Sequence, residues 1–223
     1  MRTFLPHLDT LPLPQKRLWP SLGQVPKHFV LYGGTAIALR LGHRTSVDFD
    51  FFTSESFAPD KLLGSLPLLA AAKVLQNVSQ TLTVALDLGG TVKLSFFGGL
   101  RLGRVGEPEE TSDGVLAVAS LLDLAGTKAA VVTQRAEAKD YIDIMAILDG
   151  GVPLARAMAA ARAIYGEQYN PIMTLKSLTY FEDGDLHKLT SAQKSKLAKA
   201  ATQQSLELPV LPRASDSLSP SSQ

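Results

Sequence analysis

The chain has 223 residues, 45% of them hydrophobic, with a formal net charge of +1 and no cysteine. Such a length fits one large domain or two small ones around a substantial core. The lack of cysteine excludes disulfides, thiolate metal sites and cysteine nucleophiles and fits a reducing compartment, while the near-neutral charge gives no global attraction to nucleic acid or acidic membranes, so RNA binding would need a local basic patch.

The opening MRTFLPHLDTLPLPQ carries prolines and an acid where a signal peptide needs a continuous apolar run. No stretch approaches the roughly 18 uncharged apolar residues of a membrane span, since even VLAVASLLDLAG contains Asp123. The chain therefore reads as soluble and cytoplasmic, with no membrane partner. QKRLWPSLG predicts a short helix on its Leu18 and Leu22 spacing. HFVLY, bounded by Pro26 and Gly33-Gly34, predicts a buried strand ending in a tight turn. A helix follows, with Thr35 near its start and Gly42 at its end. In the next strand, SVDFDFF, Val47, Phe49 and Phe51 share the core face and Asp48 and Asp50 the other.

A helix is expected over residues 57–70, with Pro59 near its start. TLTVALDL and TVKLSFF then alternate as a hairpin turned by Gly89-Gly90, with Lys93 and Ser95 opposite the inward Val92, Leu94 and Phe96. From Val115 to about Leu148 the composition is helical, with Gly126 as the expected interruption. VPLARAMAAARAIYG and LTSAQKSKLAKAATQQ predict further helices, and the Pro- and Ser-rich end predicts a mobile tail. These signals divide the chain into residues 1–110, a core preceded by a helix, residues 111–203, a helical part, and the tail 204–223.

Two constellations carry chemistry. Like charges as close as Asp48 and Asp50 raise one another's pKa unless a cation lies between them or a proton is shared. A Gly-Gly turn at a helix start brings backbone N–H groups close to phosphate oxygens, the Thr35 hydroxyl can add a hydrogen bond, and magnesium takes one or two carboxylates plus substrate phosphates. Two such ions, roughly 3.5–4 Å apart, would activate an attacking hydroxyl and stabilise departing pyrophosphate. Gly-Gly alone is usually only a turn, and DxD alone is often a solvated strand face; their order and closeness in one segment favour a nucleotide site. Neither GxxxxGK[ST] nor GxGxxG is present.

The second constellation is KAAVVTQRAEAKDYIDIMAIL, where Asp140 and Asp143 are neighbours on one helix face and Lys128, Arg135 and Lys139 supply cations. A solvated face with ion pairs is one reading; the second wall of a nucleotide cleft is the other.

GGTAIALRLGHRTSVDFDFF resembles the first motif of the AbiEii/AbiGii-type nucleotidyltransferase toxin family, in the DNA polymerase β-like nucleotidyltransferase superfamily: a Gly-Gly-Ser/Thr turn followed by R-x-S-x-D-x-D. LLDLAGTKAAVVTQRAEAKDYIDIMAIL is similar to its later motifs, a helix lysine before a basic-D-x-x-D segment. The likeness covers about residues 28–150. It implies an α/β (α+β) polymerase β-like core with a small mixed sheet, followed by a helical C-terminal part. It further implies that Gly33, Gly34 and Thr35 cradle the triphosphate, that Arg44 and Ser46 orient that loop, and that Asp48 and Asp50 hold Mg2+, with Mn2+ as a substitute. Lys128 would contact phosphates, and Asp140 and Asp143 would complete the cleft, with Asp140 the more direct participant. The implied reaction moves a nucleotidyl group from an NTP to an acceptor hydroxyl on RNA, such as a tRNA 3′ end, or on protein. A separately encoded antitoxin is the implied partner.

One departure stands out. Many relatives in the superfamily place a third carboxylate on a neighbouring strand, where VKLSFF offers Lys93 and Ser95, with Asp87 a stand-in or merely a hairpin residue. This motivates an alternative, a non-catalytic nucleotide-binding module acting through a protein partner. A metal-dependent phosphodiesterase fits less well, because His7, His28, His43 and His187 are scattered. Arg101 and Arg104, on a Gly-rich loop, are expected either to meet RNA phosphates or to be solvated.

Overall fold

Alternating apolar residues build an eight-stranded mixed sheet in the computed structural model, which describes residues 2–221. In chain order the strands are β1 (Thr3–Phe4), β2 (Val30–Tyr32), β3 (Asp48–Phe52), β4 (Lys73–Val78), β5 (Thr81–Asp87), β6 (Thr91–Phe97), β7 (Glu109–Thr111) and β8 (Ala117–Val118). They lie side by side as β1-β7-β8-β2-β3-β6-β5-β4. The helices are α1 (Leu13–Leu18), α2 (Gly33–Leu41), α3 (Pro59–Ser65), α4 (Leu121–Val131), α5 (Ala138–Asp149), α6 (Leu154–Tyr165), α7 (Pro171–Ser177) and α8 (Ser191–Thr202). Two compact units result: one of residues 1–102, 107–120 and 215–223, holding the sheet and α1–α3, and one of residues 103–106 and 121–214, holding α4–α8. Among the described residues no single helix is long and apolar enough to cross a membrane.

In the sheet unit the core forms on one face of the central strands. Phe49 and Phe51 are fully buried. The Phe51 ring stacks on Phe96 with centroids 5.1 Å apart, and Phe29 meets Phe96 edge-on at 5.3 Å. Val47, expected beside them, lies before β3 and is 48% exposed, so two phenylalanines rather than three apolar residues anchor the strand. Gly42 ends α2 in the left-handed region, at φ +66°. Arg40 ties α2 to the sheet: its Nε donates to the Ala119 carbonyl at 2.8 Å and its Nη1 pairs with Glu109 at 2.5 Å.

The sheet is larger than the alternation implied. β8 is a buried inner strand inside the stretch whose composition reads as helical, because Ala117 and Val118 are compatible with either state until β2 and β7 flank them. β4 pairs with β5 at the edge, and all six of its residues are exposed, so it carries no alternating burial to reveal it. Residues 204–221, expected as a mobile tail, are anchored: Arg213 donates to the Ala163 carbonyl at 2.6 Å in the helical unit. Further on, Leu218 is 1% exposed and its N–H donates to Ser54 Oγ at 3.0 Å in the sheet unit.

In the helical unit the break falls at residues 132–137, not at Gly126, which lies inside α4. A Cβ there would stand 2.8 Å from the backbone nitrogen of Ala161 on α6. The glycine and the small residues Ala157, Ala159, Ala160 and Ala161 thus allow two helices to approach at backbone distance. Arg104 is neither solvated nor placed to meet RNA. It is 1% exposed, and its Nη1 donates to the Gly106 carbonyl at 3.2 Å.

Two glycine substitutions should separate packing from propensity. Gly126→Ala inserts a methyl group into the α4–α6 contact and should cost about 1–3 kcal/mol. Gly64→Ala, in α3 with nothing within 4 Å of the added Cβ, should instead stabilise by about 0.4–1 kcal/mol. Urea unfolding midpoints of the two variants, shifted in opposite directions from wild type, check this.

Candidate active site

Strand β3 lies between β2, antiparallel to it, and β6, parallel to it. Register pairs Tyr32 with Asp50, Lys93 with Asp48 and Ser95 with Asp50. Side chains directly across from one another share a face, so both carboxylates, the lysine and the serine stand on the side of the sheet away from Phe49 and Phe51. Phe52 joins them there, its ring stacked on Tyr32 with centroids 4.9 Å apart. Lys93 Nζ is 3.3 Å from Asp48 Oδ2, and both side chains are about two-fifths exposed.

Gly33 and Gly34 open α2 directly after β2. Gly33 has φ +77°, a conformation that disfavours any side chain, and a Cβ there would stand 2.9 Å from Asp50 Oδ2. The glycine turn and the acidic strand therefore meet at one point. The first-turn N–H groups of Gly33, Gly34 and Thr35 have no intrahelical carbonyl to bond, which makes this helix start receptive to an anion.

Thr35 itself is 1% exposed, and its hydroxyl is engaged with the Asp48 carbonyl oxygen and, at 2.8 Å, with Ser46 Oγ. Its side chain thus fastens the helix start to the beginning of β3, and only its backbone N–H is directed by the turn. Ser46 is buried, and its N–H donates to the Thr10 carbonyl at 3.2 Å. Arg44 lies in the same α2–β3 connection, with Nη1 donating to the Thr45 carbonyl at 2.9 Å.

The helical unit gathers the second group. Lys128 of α4 contacts Asp140 and lies 2.8 Å from Asp143, both on α5. Arg135, in the break before α5, donates from Nε to Asp140 at 2.8 Å and from Nη2 at 3.2 Å. Both aspartates are fully buried and Lys128 is 5% exposed, so this is not a solvated helix face. Burial pushes the Asp140 carboxyl up, but the hydrogen bond from Arg135 and the charge and hydrogen bond of Lys128 outweigh it and hold the group below the usual carboxylate range. Lys139 turns to Glu137 instead, at 2.8 Å.

Sequence reasoning missed two of these partnerships. The contact of Lys93 with Asp48 depends on which strand lies beside β3, and alternation within TVKLSFF does not say. The bond from Arg135 to Asp140 comes from a non-helical segment, where helical spacing gives no signal. Asp87 is occupied at the hairpin, where its Oδ1 accepts from the N–H groups of Gly89 at 3.1 Å and Gly90 at 3.2 Å.

Among the described residues no group of three or more His, Cys, Asp or Glu side chains is arranged to hold a metal ion. The Asp48–Asp50 pair nevertheless fits a hard divalent cation carried by a nucleotide: it offers only oxygen donors, and the Gly33 turn, whose backbone N–H groups suit phosphate oxygens, lies beside Asp50.

Comparison with known proteins shows the family. The family model described as "Nucleotidyl transferase AbiEii toxin, Type IV TA system" matches residues 18–216. The uncharacterized protein aq_aa25 of Aquifex aeolicus (strain VF5) is 33% identical over 166 residues, covering 73% of this chain and 78% of its own. The crystal structure of an H. pylori protein assigned as a nucleotidyltransferase superposes with a TM-score of 0.58 at 16% identity, covering 86% of this chain and 93% of that one, and so shares the fold. The chain belongs to the AbiEii nucleotidyl transferase toxin family of type IV toxin–antitoxin systems.

Proposed function

We propose that this nucleotidyltransferase moves a nucleotidyl group from an NTP to an acceptor hydroxyl on RNA, with tRNA 3′ ends foremost, or on protein. The acceptor oxygen forms a bond to the α-phosphorus, the bond from that phosphorus to the β-phosphate oxygen breaks, and pyrophosphate leaves. The observation that carries this reading is the approach of the Gly33 backbone to the Asp50 carboxylate, which brings an anion-receptive turn and a cation-receptive pair to the same place. Asp48 and Asp50 would hold Mg2+, or Mn2+ in its stead, which when bound neutralises phosphate charge and polarises the α-phosphoryl group.

The chain's own residues do the rest. Backbone N–H groups of Gly33, Gly34 and Thr35 bind triphosphate oxygens, and the buried Thr35 and Ser46 hydroxyls keep the turn fixed against β3. Arg44 steadies the connection between them. In the helical unit Lys128 is assigned to phosphate charge and Asp140 to the reaction, with Asp143 sharing the lysine. On this reading the protein acts in the cytoplasm; family membership itself implies a cognate antitoxin and an NTP substrate.

A second reading is a nucleotide-binding module without turnover, favoured by one observation: Lys93 and Ser95 occupy the strand positions beside the two aspartates. Binding of NTP with Mg2+ by calorimetry, without pyrophosphate release over a broad acceptor screen, would select it.

Purified protein incubated with α-labelled NTPs, Mg2+ and total RNA or lysate should transfer label, and Asp48→Ala and Asp50→Ala should reduce transfer to background while retaining wild-type circular dichroism. Absence of transfer to every acceptor, with undiminished toxicity of those variants on overexpression, would overturn the assignment. Lys128→Ala leaves two buried carboxylates short of a partner and should cost about 3–5 kcal/mol in urea unfolding. Because the Asp140 carboxyl is held low in the folded state, its contribution is complete above the ordinary carboxylate range near pH 4 and disappears as pH falls through the lowered value. Acid unfolding followed by circular dichroism should accordingly depend less on pH in Asp140→Asn than in wild type.

A further inference from the structure

Helix α5 begins without a cap of its own. Its leading N–H groups have no intrahelical carbonyl to bond, and Glu137, just before it, makes no side-chain bond to them. The Glu137 carboxylate turns instead to Arg135 at 3.6 Å and Lys139 at 2.8 Å. The acceptor comes from 47 residues further along: Asp185 Oδ1 receives the Ala138 N–H at 2.6 Å. In return the Asp185 N–H donates to the Ala136 carbonyl at 3.3 Å. Gly184 allows this double contact, because it has φ +56° and a Cβ there would collide with the Ala136 carbonyl oxygen. Leu186 and Leu189 are buried beyond it, and the Phe181 ring meets Tyr141 of α5 edge-on at 6.3 Å. Residues 181–189 thus brace the start of α5.

The braced stretch carries Arg135 and Asp140. Arg135 lies in the non-helical break three residues before Ala138, and Asp140 lies two residues after it. The guanidinium reaches Asp140 through two N–H groups, at 2.8 and 3.2 Å, a planar fork that tolerates little displacement. A helix does not fix a residue that precedes it, so this contact depends on how the break is held. We propose that Asp185 is a positioning residue for the reaction: bound to Ala138 and Ala136 at once, it sets the place where Arg135 meets Asp140. The Ala138 amide, and after it Lys188 at 2.9 Å from Oδ2, hold the Asp185 carboxyl below the usual carboxylate range, so it accepts as the anion at neutral pH. The Lys188 pair is exposed and uses the other carboxylate oxygen, so the capping bond does not require it. The effect on turnover rests on the nucleotidyltransfer reading; the placement of Arg135 against Asp140 does not.

The test follows the Arg135 Nε–H resonance in isotope-labelled full-length protein, together with steady-state label transfer. In Asp185→Ala that resonance should move toward the position of a solvent-exposed arginine. Turnover should follow, with kcat falling about tenfold, as for one weakened charge-assisted hydrogen bond, and KM for NTP unchanged. Asp185→Asn, whose side-chain carbonyl can accept the same N–H, should restore both, and Lys188→Met should behave as wild type. Gly184→Ala, which displaces the segment without altering the carboxylate, should reproduce Asp185→Ala. An unmoved Arg135 signal with undiminished kcat in Asp185→Ala, even where the urea midpoint falls, would mean a cap that only stabilises α5 and would overturn the proposal. Asp185→Asn or Lys188→Met as impaired as Asp185→Ala would overturn the assignment to the Ala138 bond. A moved Arg135 signal in a protein whose wild type transfers no label would overturn the nucleotidyltransfer reading while supporting the placement of the pair.

Discussion

The site depends on the burial of Phe49 and Phe51. Each is fully buried on one face of β3, and their packing against Phe96 and its neighbours fixes which way the strand faces. With a period of two, a strand that commits its odd-numbered phenylalanines to the core has no choice about Asp48 and Asp50. Flanking strands on both sides then prevent the acids from relaxing apart. Burying a full phenylalanine side chain contributes about 1.5–3 kcal/mol, and Lys93 beside Asp48 offsets part of the charge on the other face. The side on which the paired acids stand is set by hydrophobic packing on the opposite face.

A different solution holds the charges of the helical unit. Lys128, Asp140, Asp143 and Arg135 form a cluster of two cations and two anions in which both acids are fully buried. Isolated buried charges are costly, and pairing recovers that cost only when the partners are correctly placed. The α4–α6 contact at Gly126 brings α4 as close as backbone atoms permit, and α4 in turn carries Lys128 two residues later. The absent side chain at 126 is thus part of what places the ammonium.

How far the molecule could be read from its sequence differs between these two regions. HFVLYGGTAIALRLGHRTSVDFDFF read as strand, turn, helix and strand in the right order, because glycine, helix-forming and alternating residues each obey local rules. Val47 misled, since alternation continues in sequence past the residue where pairing with β6 begins. β4 gave no signal because an edge strand exposed on both faces needs no apolar alternation. Gly126 read as a breaker because local propensity penalises glycine in a helix, whereas its reason lies in a helix more than thirty residues away. The order of strands, and with it the meeting of Lys93 and Asp48, is a property of long-range pairing that no local pattern encodes.

The path of the chain between the units carries its own consequence. Residues 1–102 begin the sheet unit, residues 107–120 return to it with β7 and β8, and residues 215–223 come back a last time, where Leu218 enters the core. The helical unit is assembled mostly within that final excursion. On the ribosome, synthesis runs in one direction, so the sheet unit must wait unfinished while the whole helical segment is made, and Ser54 meets the Leu218 N–H only after 164 residues of separation have been synthesised. The core around Leu218 therefore closes only after the helical segment has been made, which ties the maturation of the sheet unit to the synthesis of the helical one.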